Sequence, residues 1–306
     1  MIDRRNLIKA GLLLPQALKA AAGRAIPLGL VTNGFSQFSN RDLAAEFAEQ
    51  GVKLVQLFFV QTDSNYWRYG GRSDLPGMTP ERAVEIAGIY KSAGIGIHSL
   101  GVYTTLVHPD PAERKLNLEY FERMMKVGGH MGVKAFLTEP GHYHPEGKPQ
   151  ATPFDYQDDV WKTTVATVKE LAKIAEAHDA TVLLEPFYIS IIGTAKRART
   201  FLEDVGSPRI RINLDPANLI EVNDLDEMFQ QLGEYTVSLH AKDRKLHIGQ
   251  GVPAGQGDID YAKFVNLAAT RTPGAPLFIE YVTVKDYKQA LAHLRDVLKK
   301  AGIAEK

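Results

Sequence analysis

The chain has 306 residues, 44% of them hydrophobic and 24% charged, which is enough apolar material for a large core. Its 36 Lys and Arg balance 36 Asp and Glu, so no net field draws it to nucleic acid or to an anionic membrane, and a small ligand recognised locally fits better. With no cysteine, disulfides, thiolate metal sites and cysteine nucleophiles are excluded, and any metal must sit on His, Asp and Glu.

Residues 1–25 read as a unit apart: paired Arg4 and Arg5, a short weakly apolar stretch, then small residues suited to cleavage. The stretch resembles a twin-arginine export signal through Arg4, Arg5, Leu7, Ile8 and Lys9, although Asp3 stands where Ser or Thr is usual. The expectation is a periplasmic or secreted protein with residues 26–306 as the mature domain. The alternative is an amphipathic helix retained on a cytoplasmic protein. The apolar stretch is too short to cross a bilayer, so no membrane is expected in the mature form.

From there, short β-rich apolar runs alternate with longer segments of helical period, the pattern of repeated βα units. Eight strands are predicted, at Pro27 to Thr32, Leu54 to Val60, Ile95 to Val102, Ala135 to Glu139, Thr181 to Phe187, Ile210 to Asp215, Thr236 to Lys242 and Leu277 to Val282. Between them, Val165, Val168, Ala172 and Ala175 share one helical face, as do Tyr287, Leu291, Leu294 and Leu298. Asn40, Thr79-Pro80 and Asp110-Pro111 mark the starts of the first three helices. A doubly wound sheet usually announces itself by a glycine loop after an early strand, and none is present. The run Gly249, Gly251, Gly255 and Gly257 does not match that fingerprint and reads as a flexible loop. The fold class is α/β, a single (β/α)8 TIM barrel.

In such a barrel the C-terminal strand ends form the active face. Four consecutive strands put an acid or imidazole there, at Glu185, Asp215, His240 and Glu280. Neighbouring strands lie about 5 Å apart, so these ends converge although far apart in sequence. A lone acid at a strand end is usually a helix cap. Three uncompensated carboxylates in one barrel mouth would be costly, and a divalent cation is the simplest compensation. The donor set suits Mn²⁺, Mg²⁺ or Co²⁺ better than a structural zinc.

At these residues the chain resembles the sugar phosphate isomerase/epimerase family of xylose-isomerase-like TIM barrels, related to ketose 3-epimerases and inosose-processing enzymes. The resemblance is carried by LLEPF around Glu185, NLDPANL around Asp215, LHAKDR around His240, the GQGDID stretch and FIEY around Glu280. It implies a divalent ion on those four residues, with Glu185 and Glu280 also transferring the proton. One departure stands out. Ketose 3-epimerases carry a substrate-contacting His three positions after the metal Asp, and here that position is Asn218, which can still hydrogen-bond a sugar hydroxyl.

The reading is therefore an enzyme, a metal-dependent sugar isomerase or epimerase acting on a small-molecule carbohydrate by proton transfer next to a polarised carbonyl. Around the rim, His98, Glu139, Lys242 and Arg244 are candidate substrate contacts, with Trp67, beside Tyr66 and Tyr69 in the long segment from Gln61 to Met78, as a stacking surface or lid. Each has an ordinary structural role as its competitor: a satisfied histidine, a strand-end partner, a solvated arginine, a loop packed down. His142 and His144 are candidates for a second metal, against a reading as surface histidines. A 3-keto-glycoside lyase or hydrolase with the same metal is the enzymatic alternative. A non-catalytic sugar-binding barrel and an apurinic endonuclease rank lower. Family barrels often form homo-oligomers, and nothing in the sequence locates an interface.

Overall fold

The computed structural model describes residues 24–147 and 153–306, so the export-signal reading of residues 1–25 lies almost wholly outside the described residues. Eight strands, β1 (Leu28–Val31), β2 (Leu54–Leu57), β3 (Gly96–Gly101), β4 (Ala135–Thr138), β5 (Thr181–Leu184), β6 (Ile210–Leu214), β7 (Thr236–Arg244) and β8 (Leu277–Ile279), pair in parallel in chain order, and β8 pairs with both β1 and β7. The sheet closes on itself as a (β/α)8 barrel. Eight helices follow the strands: α1 (Asn40–Glu49), α2 (Pro80–Ser92), α3 (Pro111–Met131), α4 (Asp158–Ala177), α5 (Ala195–Val205), α6 (Leu225–Leu232), α7 (Tyr261–Arg271) and α8 (Tyr287–Lys300).

The strands are apolar on both faces because each is covered twice. Inside the barrel, Val31, Phe58, Val60, Tyr103, Leu137, Leu183 and Phe278 pack together. Outside it, the alternate strand residues meet the helices, including the Val165, Val168, Ala172 and Ala175 face of α4 and the Leu291, Leu294 and Leu298 face of α8. Phe278 is fully buried, and its truncation to Ala would cost roughly 3–5 kcal/mol in transfer energy and cavity.

Helix starts follow capping chemistry. Thr79 and Asp110 accept the backbone N–H of Arg82 and Ala112, each ahead of a proline. For α1 the cap is Ser39, one residue before the Asn40 expected. Asn40 is the first helical residue, and its side chain is spent on Asp63, Ser64 and Tyr90.

Two departures from the expected elements shape the mouth. The glycine run is not merely a flexible loop: Gly251–Pro253 pairs antiparallel with the end of β7, Lys242 to Arg244, forming a hairpin. Asp243 organises it, accepting the N–H groups of Arg244, Gly255 and Ile259, and Gly257 packs so close that a Cβ would lie 2.2 Å from Asp243 Oδ1. A register shift between β6 and β7 skips Val237 and leaves Leu214 opposite Leu239, so Asp215 and His240 follow side by side. At the other end, Ala25–Ile26 pairs with Ala304–Glu305. Among the described residues no helix is long and apolar enough to cross a membrane.

Candidate metal centre

Glu185 follows β5, Asp215 follows β6, His240 lies within β7 and Glu280 follows β8; all four are buried, and one ligand atom from each lies within 4.8 Å of every other. Strand geometry produces this cluster. Inward-facing positions at four neighbouring strand ends have nowhere else to point.

The cluster is held from below and from the side. Gln56 of β2 reaches across the barrel, its Oε1 at 2.7 Å from His240 Nε2, while its own amide donates to Ser238 Oγ at 3.1 Å. With Nε2 tied to a carbonyl oxygen, His240 turns Nδ1 toward Glu185 Oε1 at 3.2 Å and Glu280 Oε2 at 3.5 Å. Glu185 accepts the Tyr103 hydroxyl at 2.8 Å on Oε2 and the Asn218 amide at 2.8 Å on Oε1. Asp215 caps the turn Pro216–Asn218 through Oδ1, which accepts Ala217 N–H at 2.8 Å.

Lys242, two residues after His240 and so on the same face of the strand, brings its ammonium to 2.8 Å from Asp215 Oδ2 and 3.2 Å from Glu280 Oε2. Its carbonyl accepts Tyr261 OH, and the ammonium lies 4.8 Å from the ring of Tyr281. Burial works against charge on Glu280, but Lys242 and His240 outweigh it and hold the carboxyl down to about 2. Burial pushes Asp215 up in spite of the same ammonium, with Glu185 and Glu280 adding to the rise. Burial opposes the charged imidazole too, yet Glu185 and Glu280 carry His240 up to about 10.

The donor set fits a divalent cation on its own geometry. Beyond the ion pair with Lys242, Asp215 Oδ2 is buried without a hydrogen-bond partner. Three carboxylates and one imidazole so enclosed are what a catalytic divalent site offers. Among the described residues this is one group that could hold a metal, and His142 and His144 do not join one. His142 is half-buried beside the ring of Phe187, and His144 Nδ1 accepts Glu146 N–H in its own turn.

A model of the xylose isomerase-like TIM barrel family matches residues 44–300. The chain belongs to that family. Among solved structures, D-psicose 3-epimerase from Clostridium cellulolyticum H10, crystallised with D-tagatose, is 17% identical at a TM-score of 0.69, covering 89% of this chain and 99% of that one. The 3-keto-D-glucoside 4-epimerase of E. coli gives the same four figures: 17%, 0.69, 89% and 99%. A xylose isomerase-like TIM barrel protein from Mycobacterium smegmatis, in complex with magnesium, is 17% identical at a TM-score of 0.65, covering 90% of this chain and 97% of that one. At such identities the likeness is one of fold. No curated protein matches the chain.

The remaining rim residues are distributed unevenly. Asn218 is buried on Glu185. Glu139, half-buried, follows β4 and accepts Tyr69 OH at 2.6 Å. Burial and the nearby Glu185 push its carboxyl up to about 7. Trp67 packs edge-on against Phe58 at 5.3 Å and Tyr103 at 5.9 Å, with Tyr69 beyond, so the long loop supplies an aromatic wall pinned by Arg72 to Glu113 and Asn117.

Two expectations of position need correction. His98 does not stand at the rim: it is the third of six residues in β3, the extra residue at a register shift against β2, and its ring lies 5.1 Å from Phe278 inside the barrel. The residue of that strand end that reaches the cluster is Tyr103. Arg244 is no solvated arginine beyond the strand. It is the last residue of β7, 3% exposed, with Nε on Ala217 O, Nη1 on Ile248 O and Gly249 O, and its guanidinium against Phe187 and Tyr188.

Gln56, Tyr103 and Asp243 escaped the sequence reading. A glutamine inside the apolar run LVQLFF is a buried polar residue in a parallel strand, and it must find a partner. Tyr103 stands directly after its strand run, where the rule applied to the last four strands would have found it.

Proposed function

We propose that this protein is a divalent-metal-dependent isomerase or epimerase of a neutral, non-phosphorylated carbohydrate, working by proton transfer at carbon next to a carbonyl. The observation that carries the reading is the buried cluster of Glu185, Asp215, His240 and Glu280 at the barrel's catalytic end. Bound there, a Mn²⁺, Mg²⁺ or Co²⁺ ion would supply the electrophile that stabilises negative charge developing on the carbonyl oxygen. Glu185 and Glu280 each bring a carboxylate oxygen into the cluster, Glu185 oriented by Tyr103 and Asn218 and Glu280 by Lys242. One takes the proton from carbon and the other returns one, at the neighbouring carbon for an isomerase or on the opposite face for an epimerase.

The neutral substrate follows from the cations. Lys242 is committed to two carboxylates, and Arg244, which keeps its charge, is 3% exposed and held on backbone carbonyls, so neither presents an accessible positive charge to a phosphate. Trp67 and Tyr69 offer ring surfaces for the apolar face of a sugar, and Glu139 a hydrogen-bonding group for its hydroxyls. The structural neighbours acting on D-psicose and on a 3-keto-D-glucoside agree with such a substrate class.

Elimination from a 3-keto glycoside is the second reading. It gains from Glu139, a carboxyl near neutrality at the mouth and so suited to protonate a departing oxygen. The test is incubation of Mn²⁺-loaded protein with ketoses, 3-keto sugars and their phosphates in deuterated water, followed by NMR. Deuterium at carbon beside the carbonyl of a neutral sugar, lost in Glu280→Gln, supports the proposal. Release of an aglycone points to elimination, and exchange confined to phosphorylated sugars contradicts the substrate assignment.

A further inference from the structure

The cluster's charge does not balance with a divalent ion alone. Glu185, Asp215 and Glu280 bring three negative charges into a buried space, a divalent ion returns two, and a ligating imidazole is neutral. The missing charge stands beside the site. The Lys242 ammonium is 5% exposed as a residue and within ion-pair distance of two of the three carboxylates, at 2.8 and 3.2 Å.

We propose that Lys242 is a positioning residue that sets the charge of the site, completing neutrality with a divalent ion and thereby selecting a divalent over a trivalent cation. This rests on the metal reading of the cluster. The physical basis is that a net charge left in a low-dielectric interior is costly, so the ion whose charge closes the balance is favoured. Lys242 is itself held in place: the Tyr281 ring faces the ammonium at 4.8 Å, and Tyr261 fixes the backbone carbonyl of the same residue at 3.0 Å. Tyr281, whose ring faces the lysine, adopts a left-handed backbone, φ 58°, directly after Glu280. Glu139, the other acid of the mouth, is half-buried, bonded to Tyr69, and outside the cluster.

The experiment measures Mn²⁺ affinity by calorimetry and Tb³⁺ affinity by luminescence sensitised through Tyr103 and Trp67, in the wild type, Lys242→Met and Lys242→Arg. In the wild type Tb³⁺ is expected to bind no more tightly than Mn²⁺. Because repulsion by the lysine scales with the charge of the ion, Lys242→Met should bind Mn²⁺ at least about tenfold and Tb³⁺ at least about thirtyfold more tightly. Lys242→Arg, which keeps the charge and changes the shape, should stay within about threefold of wild type. Unchanged affinities in Lys242→Met, or an arginine variant that behaves like the methionine one, would overturn the role of charge. So would a wild-type preference for Tb³⁺, a result that stands even if Lys242→Met does not fold. If the wild type binds neither ion, the metal reading falls and this proposal with it.

Discussion

Tyr103 donates its hydroxyl to Glu185 at 2.8 Å, joining the end of the third strand to the candidate metal ligand on the fifth. The phenol is buried, its ring meets Trp67, Phe58 and Tyr69, and it therefore couples the aromatic wall to the carboxylate proposed to move a proton. Tyr103→Phe keeps the wall and removes the bond. Outer-shell losses of this kind typically cost about 10- to 100-fold in activity or metal affinity, and here the drop is expected in kcat, with the fold retained. An unchanged kcat would show that Glu185 needs no such support.

Gln56 fixes which imidazole nitrogen of His240 faces the acids. Gln56→Leu removes that restraint and leaves Ser238 without its amide partner. Metal affinity measured by calorimetry should fall about 10- to 100-fold while circular dichroism stays native.

Tyr69 and Glu139 give a pH-dependent signature. Burial and Glu185 raise the carboxyl to about 7, and the Tyr69 hydrogen bond and Lys242 pull the other way. The group is thus an acid below about pH 7 and a carboxylate above it. Tyr69→Phe removes a donor that favours the charged form, so ionisation should move to higher pH, as read by carbon NMR of labelled glutamate. A shift to lower pH would contradict the assigned hydrogen bond.

Gly257→Ala tests the hairpin that carries Asp243. The new methyl would meet Asp243 Oδ1 and the Arg244 backbone, with nearest approaches of 2.2 and 2.5 Å. Overpacking of this kind costs typically 1–3 kcal/mol, and a denaturant titration should show it. Full stability would mean that the turn yields more easily than its contacts imply.

Much of this was legible in the sequence because barrel strands are buried on both faces and read as plain apolar runs. All eight appeared, β5, β6 and β8 carried their acids just where those runs end, and β7 carried its imidazole directly after Leu239, four residues before the strand ends. What escaped notice depended on contacts between distant strands. Gln56 meets His240 across the barrel, 184 residues away in sequence, and no local pattern announces such a pairing. His98 read as a rim residue because the register shift that absorbs it between β2 and β3 leaves no mark in the sequence. Arg244 looked like a surface residue because its partners are backbone carbonyls, which any sequence supplies.

The most direct test of the central claim is metal stoichiometry. Protein stripped with chelator, reloaded with Mn²⁺ and analysed for bound metal should hold one ion per chain, and Asp215→Ala, which deletes the carboxylate paired to Lys242, should lose it. A wild type that takes up no Mn²⁺, Mg²⁺ or Co²⁺, or an Asp215→Ala variant that binds metal as well as the wild type, would contradict the account.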